Sequence, residues 1–203
     1  MTPAVGVPMV DVAFALAGGP VQPDYASHLH AALLRLLPWL DEEPDAAVHP
    51  LRRVTQVDGR LCVGAHSRLM MRVPEVRIDA CAALEGCTLD LGEPLRLGRV
   101  QRRPLFAFPT LYSPLVVTGD RAEEAFLATV LRAVGKWDGS CAVIVGRAGI
   151  RAVDTAALPG FSLMLHGVAP SLSLRAQSEG IGGYRKYGCG VFVAHRSAAA
   201  VVI

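Results

Sequence analysis

Lysine is nearly absent from this chain of 203 residues, because 18 of its 20 basic residues are arginine. Only Lys136 and Lys186 are lysine, and the formal net charge of +2 conceals this bias. Arginine has a planar guanidinium that binds phosphate in a bidentate manner, whereas lysine acts as a point charge. The bias therefore fits a phosphate ligand, although genomic base composition alone can also produce it.

Cysteine is too sparse and too scattered for a disulfide framework or a zinc site. The five cysteines are odd in number, and none forms a C-x-x-C pair with nearby histidine. We expect them to be reduced, small core residues of a cytoplasmic protein. The chain also lacks the run of about 18 apolar residues that a membrane span requires, and its N-terminus lacks the basic region of a signal peptide.

The stretch from Gly180 to Gly190 reads GIGGYRKYGCG. It is not a P-loop, which needs Lys followed by Ser or Thr, and it lacks the preceding strand and following helix of a dinucleotide-binding fingerprint. Its two Gly-apolar-Gly triplets flank two aromatic and two cationic residues, so the backbone can approach a phosphate closely. We interpret the stretch as an anion-binding loop. A glycine-rich connection before a C-terminal strand is the alternative.

Hydrophobic periodicity in the first half of the chain predicts a split βαβ arrangement. Apolar residues alternate over Met9–Ala17, as in a strand, and leucines recur at spacings of three and four over Pro23–Leu40, as in a helix. The acidic run at 41–45 is predicted as a solvated turn. The other predicted elements are short strands at 47–51 and 61–63, a strand at 67–73, a helix at 74–84 and strands at 88–91 and 95–100. This order is that of a ferredoxin-like domain.

The second half of the chain repeats the same order of elements. They are a strand at 111–118, a helix at 121–134, strands at 141–145, 150–153 and 161–168, a helix at 171–178 and a strand at 188–194. We therefore predict an α+β fold of two tandem ferredoxin-like domains with a C-terminal glycine-rich loop. The predicted domains are residues 8–103 and 108–196, joined near Arg102-Arg103-Pro104.

The placement of the glycine stretch carries a family resemblance. A Gly-x-Gly, five residues, Gly-x-Gly pattern at the end of a second ferredoxin-like domain resembles the glycine-rich loop of the RAMP superfamily of CRISPR-associated proteins. The chain is further similar to the small CRISPR repeat-processing endoribonucleases of the MYXAN subtype, over nearly all of its length except Arg196–Ile203. The matching segments are VDVAF at 10–14, AL at 32–33, LLPWL at 36–40, VH at 48–49, SRL at 67–69, LDL at 89–91, LY at 111–112, GGYR at 182–185 and YGCGVF at 187–192.

This resemblance implies an endoribonuclease that cuts a CRISPR precursor transcript within its repeat and leaves a 2′,3′-cyclic phosphate and a 5′-hydroxyl. Such cleavage needs a base for the 2′-OH proton, an acid for the leaving 5′-oxygen and a cation for the phosphorane charge. Because the RNA supplies the nucleophile, we expect no metal, no cofactor and no Cys or Ser nucleophile. The expected partner is CRISPR repeat RNA, with the cleaved crRNA retained. Other subunits of an interference complex are the further partners that the family suggests.

Histidines near the first predicted helix are the candidates for acid–base chemistry. His49 is the first choice, because it follows that helix, where the family carries a functional histidine. Its structural alternative is a histidine satisfied at a strand edge. Tyr25, His28 and His30 lie early on the helix, in a region that related enzymes also use for acid–base residues. Positions two apart on a helix face different directions, so we expect at most one of the two helical histidines to point into the site.

Cationic residues and the glycine stretch supply the candidate RNA contacts. Tyr184 and Tyr187 can stack on an unpaired base. For an isolated arginine a solvated surface charge is the simpler interpretation, but for Arg185 and Lys186, held between glycines, we favour phosphate binding. The complete candidate set is Arg52, Arg53, Arg102, Arg103, Gly182, Gly183, Tyr184, Arg185, Lys186, Gly188 and Gly190.

Two other functions remain open from the sequence. One is a non-catalytic RAMP subunit that binds crRNA in an interference complex, and the other is a generic ferredoxin-like RNA-binding module. A backbone subunit is usually longer and carries a thumb-like insertion, whereas the predicted loops are short. Such a subunit also has no need of His49, so an endoribonuclease is the preferred interpretation.

Overall fold

The protein is described here from a computed structural model that covers residues 7–137 and 139–195. Residues 196–203, which the family resemblance does not include, lie outside the described residues. The chain divides into two compact units, Met1–Pro104 (unit 1) and Leu105–Ile203 (unit 2). Among the described residues, no helix is long and apolar enough to cross a membrane.

Unit 1 contains a five-stranded antiparallel sheet in the order β2-β5-β1-β7-β6. The first strand lies between the third and the fourth strands of the split βαβ pattern, β5 and β7, which is the predicted ferredoxin-like topology. β6 extends one edge, and β3 and β4 form a separate hairpin. The elements are β1 (Met9–Gly18), α1 (Ala26–Leu36), β2 (Ala47–Val48), β3 (Thr55–Val57), β4 (Arg60–Cys62), β5 (Arg68–Pro74), α2 (Ile78–Cys81), β6 (Thr88–Asp90) and β7 (Pro94–Pro104).

Unit 2 repeats this topology in a four-stranded antiparallel sheet, in the order β11-β8-β10-β9. Its first strand again lies between the third and the fourth, so the prediction of two tandem ferredoxin-like folds is confirmed. The elements are β8 (Thr110–Val116), α3 (Glu123–Gly135), β9 (Ala142–Val153), β10 (Ala156–His166), α4 (Pro170–Glu179) and β11 (Val193–Ala194).

Alternation along β1 separates the two faces of the unit 1 sheet. The side chains that pack into the core with the leucines of α1 are Val10, Val12, Phe14 and Leu16. We call the other side of the sheet the distal face, and β1 contributes to it Asp11, Ala13, Ala15 and Ala17. Antiparallel pairing sets Arg72 of β5 and Arg103 of β7 directly opposite Asp11. The distal face therefore carries arginines on both sides of β1.

Glycines within strands caused one wrong prediction. The strands predicted at 141–145 and 150–153 form one continuous strand, β9. Gly149 pairs with Gly160 of β10, and a Cβ on Gly146 would collide with the Ser162 hydroxyl. These glycines therefore let two strands approach closely instead of interrupting one. For the same reason β10 begins at Ala156, before its predicted start.

Two other predicted elements are shorter than expected. The helix predicted at 74–84 is split into the 3₁₀ turns Glu75–Arg77 and Ala82–Leu84 around the single turn of α2. The last strand, predicted from residue 188, begins at Val193. Gly188 and Gly190 have φ angles of 84° and 65°, which a β-strand does not accommodate.

Candidate functional site

His30 and Asp41 form a hydrogen-bonded pair at the surface of unit 1. The His30 Nε2 atom lies 2.8 Å from Asp41 Oδ1, and the two side chains are 11% and 48% exposed. α1 carries His30, and the 3₁₀ turn Pro38–Leu40 sends the chain back so that Asp41 reaches the first half of the helix. The carboxylate fixes the orientation of the ring, as in acid–base pairs of enzymes. Sequence reasoning missed Asp41, which was predicted only as part of a solvated turn.

The other two candidates near the start of α1, Tyr25 and His28, differ in their access to solvent. His28 is exposed, whereas His30, two residues further, is turned toward Asp41. This agrees with the expectation that the two histidines face different directions. Tyr25 is buried, and its hydroxyl accepts a 2.8 Å hydrogen bond from the Leu51 backbone N–H. Tyr25 therefore anchors the start of α1 to the segment that follows β2.

His49 lies on the distal face in a buried network with Asp11 and Arg72. Its Nε2 atom is 3.2 Å from Asp11 Oδ1, while Arg72 donates to both oxygens of the same carboxylate, at 2.8 and 3.0 Å. His49 is only 2% exposed, so in this arrangement it has almost no surface for a substrate. Neither histidine pair extends to a metal site: in residues 7–137 and 139–195, no three His, Cys, Asp or Glu side chains are grouped to hold an ion.

The protonation of this network follows from its burial and its charges. Burial lowers the pKa of His49, and the favourable interaction with Asp11 opposes this effect only in part. Burial alone would raise the pKa of Asp11, but the contacts with His49 and Arg72 outweigh it and hold that pKa well below its usual range. The network therefore consists of a neutral imidazole, a carboxylate and a guanidinium at neutral pH. The sequence did not reveal Asp11 as the partner of His49 and Arg72, because only the strand register places Asp11 opposite Arg72.

Three of the four predicted arginines outside the glycine stretch lie near this network. Burial lowers the pKa of Arg52, the Asp11 carboxylate opposes this effect, and the nearby charges of Arg53, Arg103 and Arg72 add to it. This crowding of like charge around a single carboxylate favours an anionic ligand. Arg102 instead forms an ion pair with Glu75, so its charge is already neutralised.

The glycines of the predicted anion loop are required by the packing of unit 2. Gly180, Gly182 and Gly190 all have positive φ, and a Cβ on any of them would collide with a backbone carbonyl oxygen. Gly190 also donates its N–H to Leu115 at 2.8 Å. In contrast, a Cβ on Gly183 would meet open space. Most of these glycines therefore serve the fold, and only part of the loop offers backbone to a ligand.

Arg185 points into the protein, although the sequence suggested a phosphate contact. It is buried, and its Nη1 atom donates to the carbonyls of Ser178, at 2.7 Å, and Glu179 at the end of α4. A cation at this position satisfies carbonyls that a helix leaves without partners. Lys186 is half-buried, and Tyr184 is 45% exposed, with its ring 6.3 Å from that of Tyr187. The accessible part of the loop is therefore Gly182, Gly183 and Tyr184.

The family model described as Cas6 Crispr matches residues 10–197. The chain belongs to the Cas6 family. A CRISPR-associated endonuclease Cas6 of Myxococcus xanthus strain DK1622 is 35% identical over 194 residues, which cover 95% of this chain and 84% of that protein.

Solved structures support the Cas6 fold at low sequence identity. A Cas6-related protein from Pyrococcus furiosus has a TM-score of 0.66 at 11% identity, over 91% of this chain and 98% of that one. A structure described as an RAMP protein binding different RNA substrates has a TM-score of 0.69 at 14% identity, over 90% of this chain and 98% of that one. At these identities the likeness concerns the fold, so the roles of individual residues must be argued from this Cas6 chain itself.

Proposed function

We propose that this Cas6 family member is an endoribonuclease that cuts CRISPR precursor RNA within its repeat. The relative at 35% identity is named as an endonuclease, and the similarity extends over 95% of the chain. The observation in this chain that carries the proposal is the His30–Asp41 pair, in which a half-exposed carboxylate holds an imidazole of α1, the helix where the sequence resemblance expects an acid–base residue. Cleavage proceeds without a metal ion and leaves a 2′,3′-cyclic phosphate and a 5′-hydroxyl.

His30 transfers the proton in this mechanism. A base removes the proton of the 2′-OH, whose oxygen attacks the adjacent phosphorus, and an acid protonates the departing 5′-oxygen. Asp41 holds one ring nitrogen of His30 at 2.8 Å and thereby orients the imidazole for one of these transfers. His28, which is exposed and lies two residues before His30 on α1, is the second candidate proton carrier. His49 remains the competing candidate, and its use requires the distal network to open.

Cations near the distal network and the exposed part of the glycine loop contact RNA. In unit 1 these are Arg52, Arg53 and Arg103, which surround a single carboxylate, Asp11. In unit 2, Tyr184 offers a ring to an unpaired base, and Gly183, whose own N–H is donated to the Val117 carbonyl at 2.9 Å, leaves open space beside it for the RNA backbone. No metal ion is required for the displacement, because the nucleophile belongs to the RNA and cationic side chains can neutralise the phosphorane.

Incubation of the purified protein with its cognate repeat RNA in EDTA tests this proposal. We expect one cut within the repeat, and resistance of the 3′ end of the upstream fragment to phosphatase unless acid first opens the cyclic phosphate. Loss of cleavage in EDTA and its recovery with magnesium would contradict the metal-independent mechanism. Binding without any cut would instead favour a non-catalytic RAMP subunit that retains crRNA.

A further inference from the structure

A groove of about 500 Å³ lies at the opposite end of the distal face from His49. Its floor consists of Ala15, Ala17 and Gly98, and Arg96, Arg99 and Glu85 stand around it. Ala15 is four residues beyond Asp11 on β1, which corresponds to about 13 Å along a strand. The groove is therefore separate from the buried network, and neither the proposed proton carriers nor the proposed RNA contacts line it.

A β-bulge creates this groove. On β1 the pairing advances from Phe14 to Leu16, while on β7 it advances from Val100 to Leu97, so β7 contains one extra residue. Such a bulge disrupts the hydrogen-bond ladder locally and changes the direction of side chains. Glu85 compensates, because its Oε1 atom accepts the Val100 N–H at 2.7 Å. The only carboxylate lining the groove thus has a structural hydrogen bond.

The two arginines of the groove, Arg96 and Arg99, are exposed to solvent. Among the described residues, the side chains of Arg96 and Arg99 have no hydrogen-bond or ion-pair partner. In the same unit, Arg60, Arg77 and Arg102 are all paired with glutamates. Two unpaired guanidinium groups beside a floor of small residues allow a phosphate to approach the sheet closely.

The lining residues select among anionic ligands. The volume falls in the range of about 300–1,000 Å³ that is typical of pockets for small organic ligands. The lining contains no aromatic ring on which a base could stack and no histidine that could transfer a proton. Contacts here would therefore be with the sugar–phosphate backbone and would not depend on the base sequence.

We propose that this groove binds backbone phosphates of the substrate RNA at a second place, away from the phosphate that reacts. The inference rests on the proposed RNA-cleaving function and deepens it. The groove raises affinity and fixes the path of the RNA over unit 1, whereas His30 acts on the barrier. Binding energy and chemistry are thus assigned to different residues.

The double variant Arg96→Ala/Arg99→Ala tests this assignment. We expect the Kd for repeat RNA to rise about 10-fold or more at low salt, because two charge-assisted contacts are lost. The slope of log affinity against log salt should decrease by about 1.4, as expected for two phosphates of a single strand. The single-turnover cleavage rate at saturating protein should remain unchanged. The matched control is Arg121→Ala/Arg132→Ala, which removes two exposed arginines of unit 2.

Two further variants separate charge from shape. Arg96→Lys/Arg99→Lys should keep most of the salt slope, and Ala17→Gln, at an exposed strand position, should weaken binding by filling the floor without a change in charge. Circular dichroism checks that each variant is folded. A Kd and salt slope equal to those of the wild type in the folded alanine double variant would overturn the inference. An inert wild-type protein, with neither binding nor cleavage, would instead refute the proposed function.

Free phosphate is distinguished from RNA by competition. If the groove accommodates phosphates only as part of a polynucleotide, millimolar inorganic phosphate should displace RNA equally from the wild type and from the arginine double variant. Preferential displacement from the wild type would mean that the groove binds a free anion, and would overturn the assignment to the RNA backbone.

Discussion

The two histidine–carboxylate pairs of unit 1 have similar chemistry but opposite surroundings. The His30 side chain is only 11% exposed, but its partner Asp41 is 48% exposed, so this pair reaches the surface through its carboxylate. His49 and Asp11 meet on the distal face, where they are 2% and 7% exposed, and Arg72 donates a hydrogen bond to the same carboxylate. A histidine that transfers protons must touch its substrate, whereas a buried one contributes mainly to the fold. Asp41 opens the first pair to solvent, whereas both members of the second are buried, and on this difference we rank His30 above His49.

The largest expected effect is on cleavage by His30→Ala. We expect the single-turnover rate to fall by about 10²-fold or more, since a general acid or base typically contributes about 10²- to 10⁴-fold. RNA affinity should stay nearly constant, because the side chain acts on the barrier and not on ground-state binding. Single-turnover assays at saturating protein, together with filter-binding titrations, measure the two quantities.

Two companion variants sharpen this comparison. Asp41→Asn keeps the His30 ring but removes its charged partner. We expect the single-turnover rate to fall by about 10- to 100-fold, and nearer to 10-fold because Asp41 is half-exposed. His49→Asn should leave the rate within a few-fold of the wild type at a temperature where the variant is folded. A 10²-fold loss in His49→Asn beside an active His30→Ala would assign proton transfer to the distal network instead.

The second effect concerns stability and the distal network. Asp11→Ala leaves the guanidinium of Arg72, which is 1% exposed, without its carboxylate. Breaking a buried ion pair by removing one partner typically costs about 3–5 kcal/mol. We expect a decrease of this size in the free energy of unfolding by urea. The matched control, Asp41→Ala, removes an exposed carboxylate and should change that free energy by less than about 1 kcal/mol.

The sequence predicted apolar patterns better than polar partnerships. Alternation along β1 correctly assigned Val10, Val12, Phe14 and Leu16 to the core, because burial of a strand face repeats every two residues. The partner of Asp11 lies 61 positions away on β5 and is fixed by strand register, for which a single sequence contains little information.

The same limitation explains the error in the glycine loop. The positions of its glycines were apparent from the sequence, and their positive φ angles agree with the choice of residue. The direction of the Arg185 side chain was not, because the sequence does not reveal that the last carbonyls of α4 lie within its reach. A buried cap and an exposed phosphate contact have the same sequence pattern, Arg-Lys between glycines.

The smallest expected effect is the pH dependence of stability that the distal pair causes. The pKa of His49 is lowered in the folded state from its ordinary value of 6.5. Below pH 6.5 the unfolded chain therefore binds a proton that the folded chain excludes. The free energy of unfolding keeps its full value above pH 6.5 and decreases as the pH falls toward the pKa of His49 in the folded protein. The lowered pKa of Asp11 adds a second loss below its ordinary value of 3.8.

Urea unfolding of the wild type and of His49→Asn between pH 7.5 and 5 isolates the first of these losses. The wild type should lose stability steadily below pH 6.5, while the variant, which lacks the titrating ring, should show a flatter profile in this range. Parallel profiles for the wild type and His49→Asn would mean that the ring is accessible enough to accept a proton in the folded protein. In that case the distal histidine would be open to solvent, and it would regain its place as the leading candidate for proton transfer.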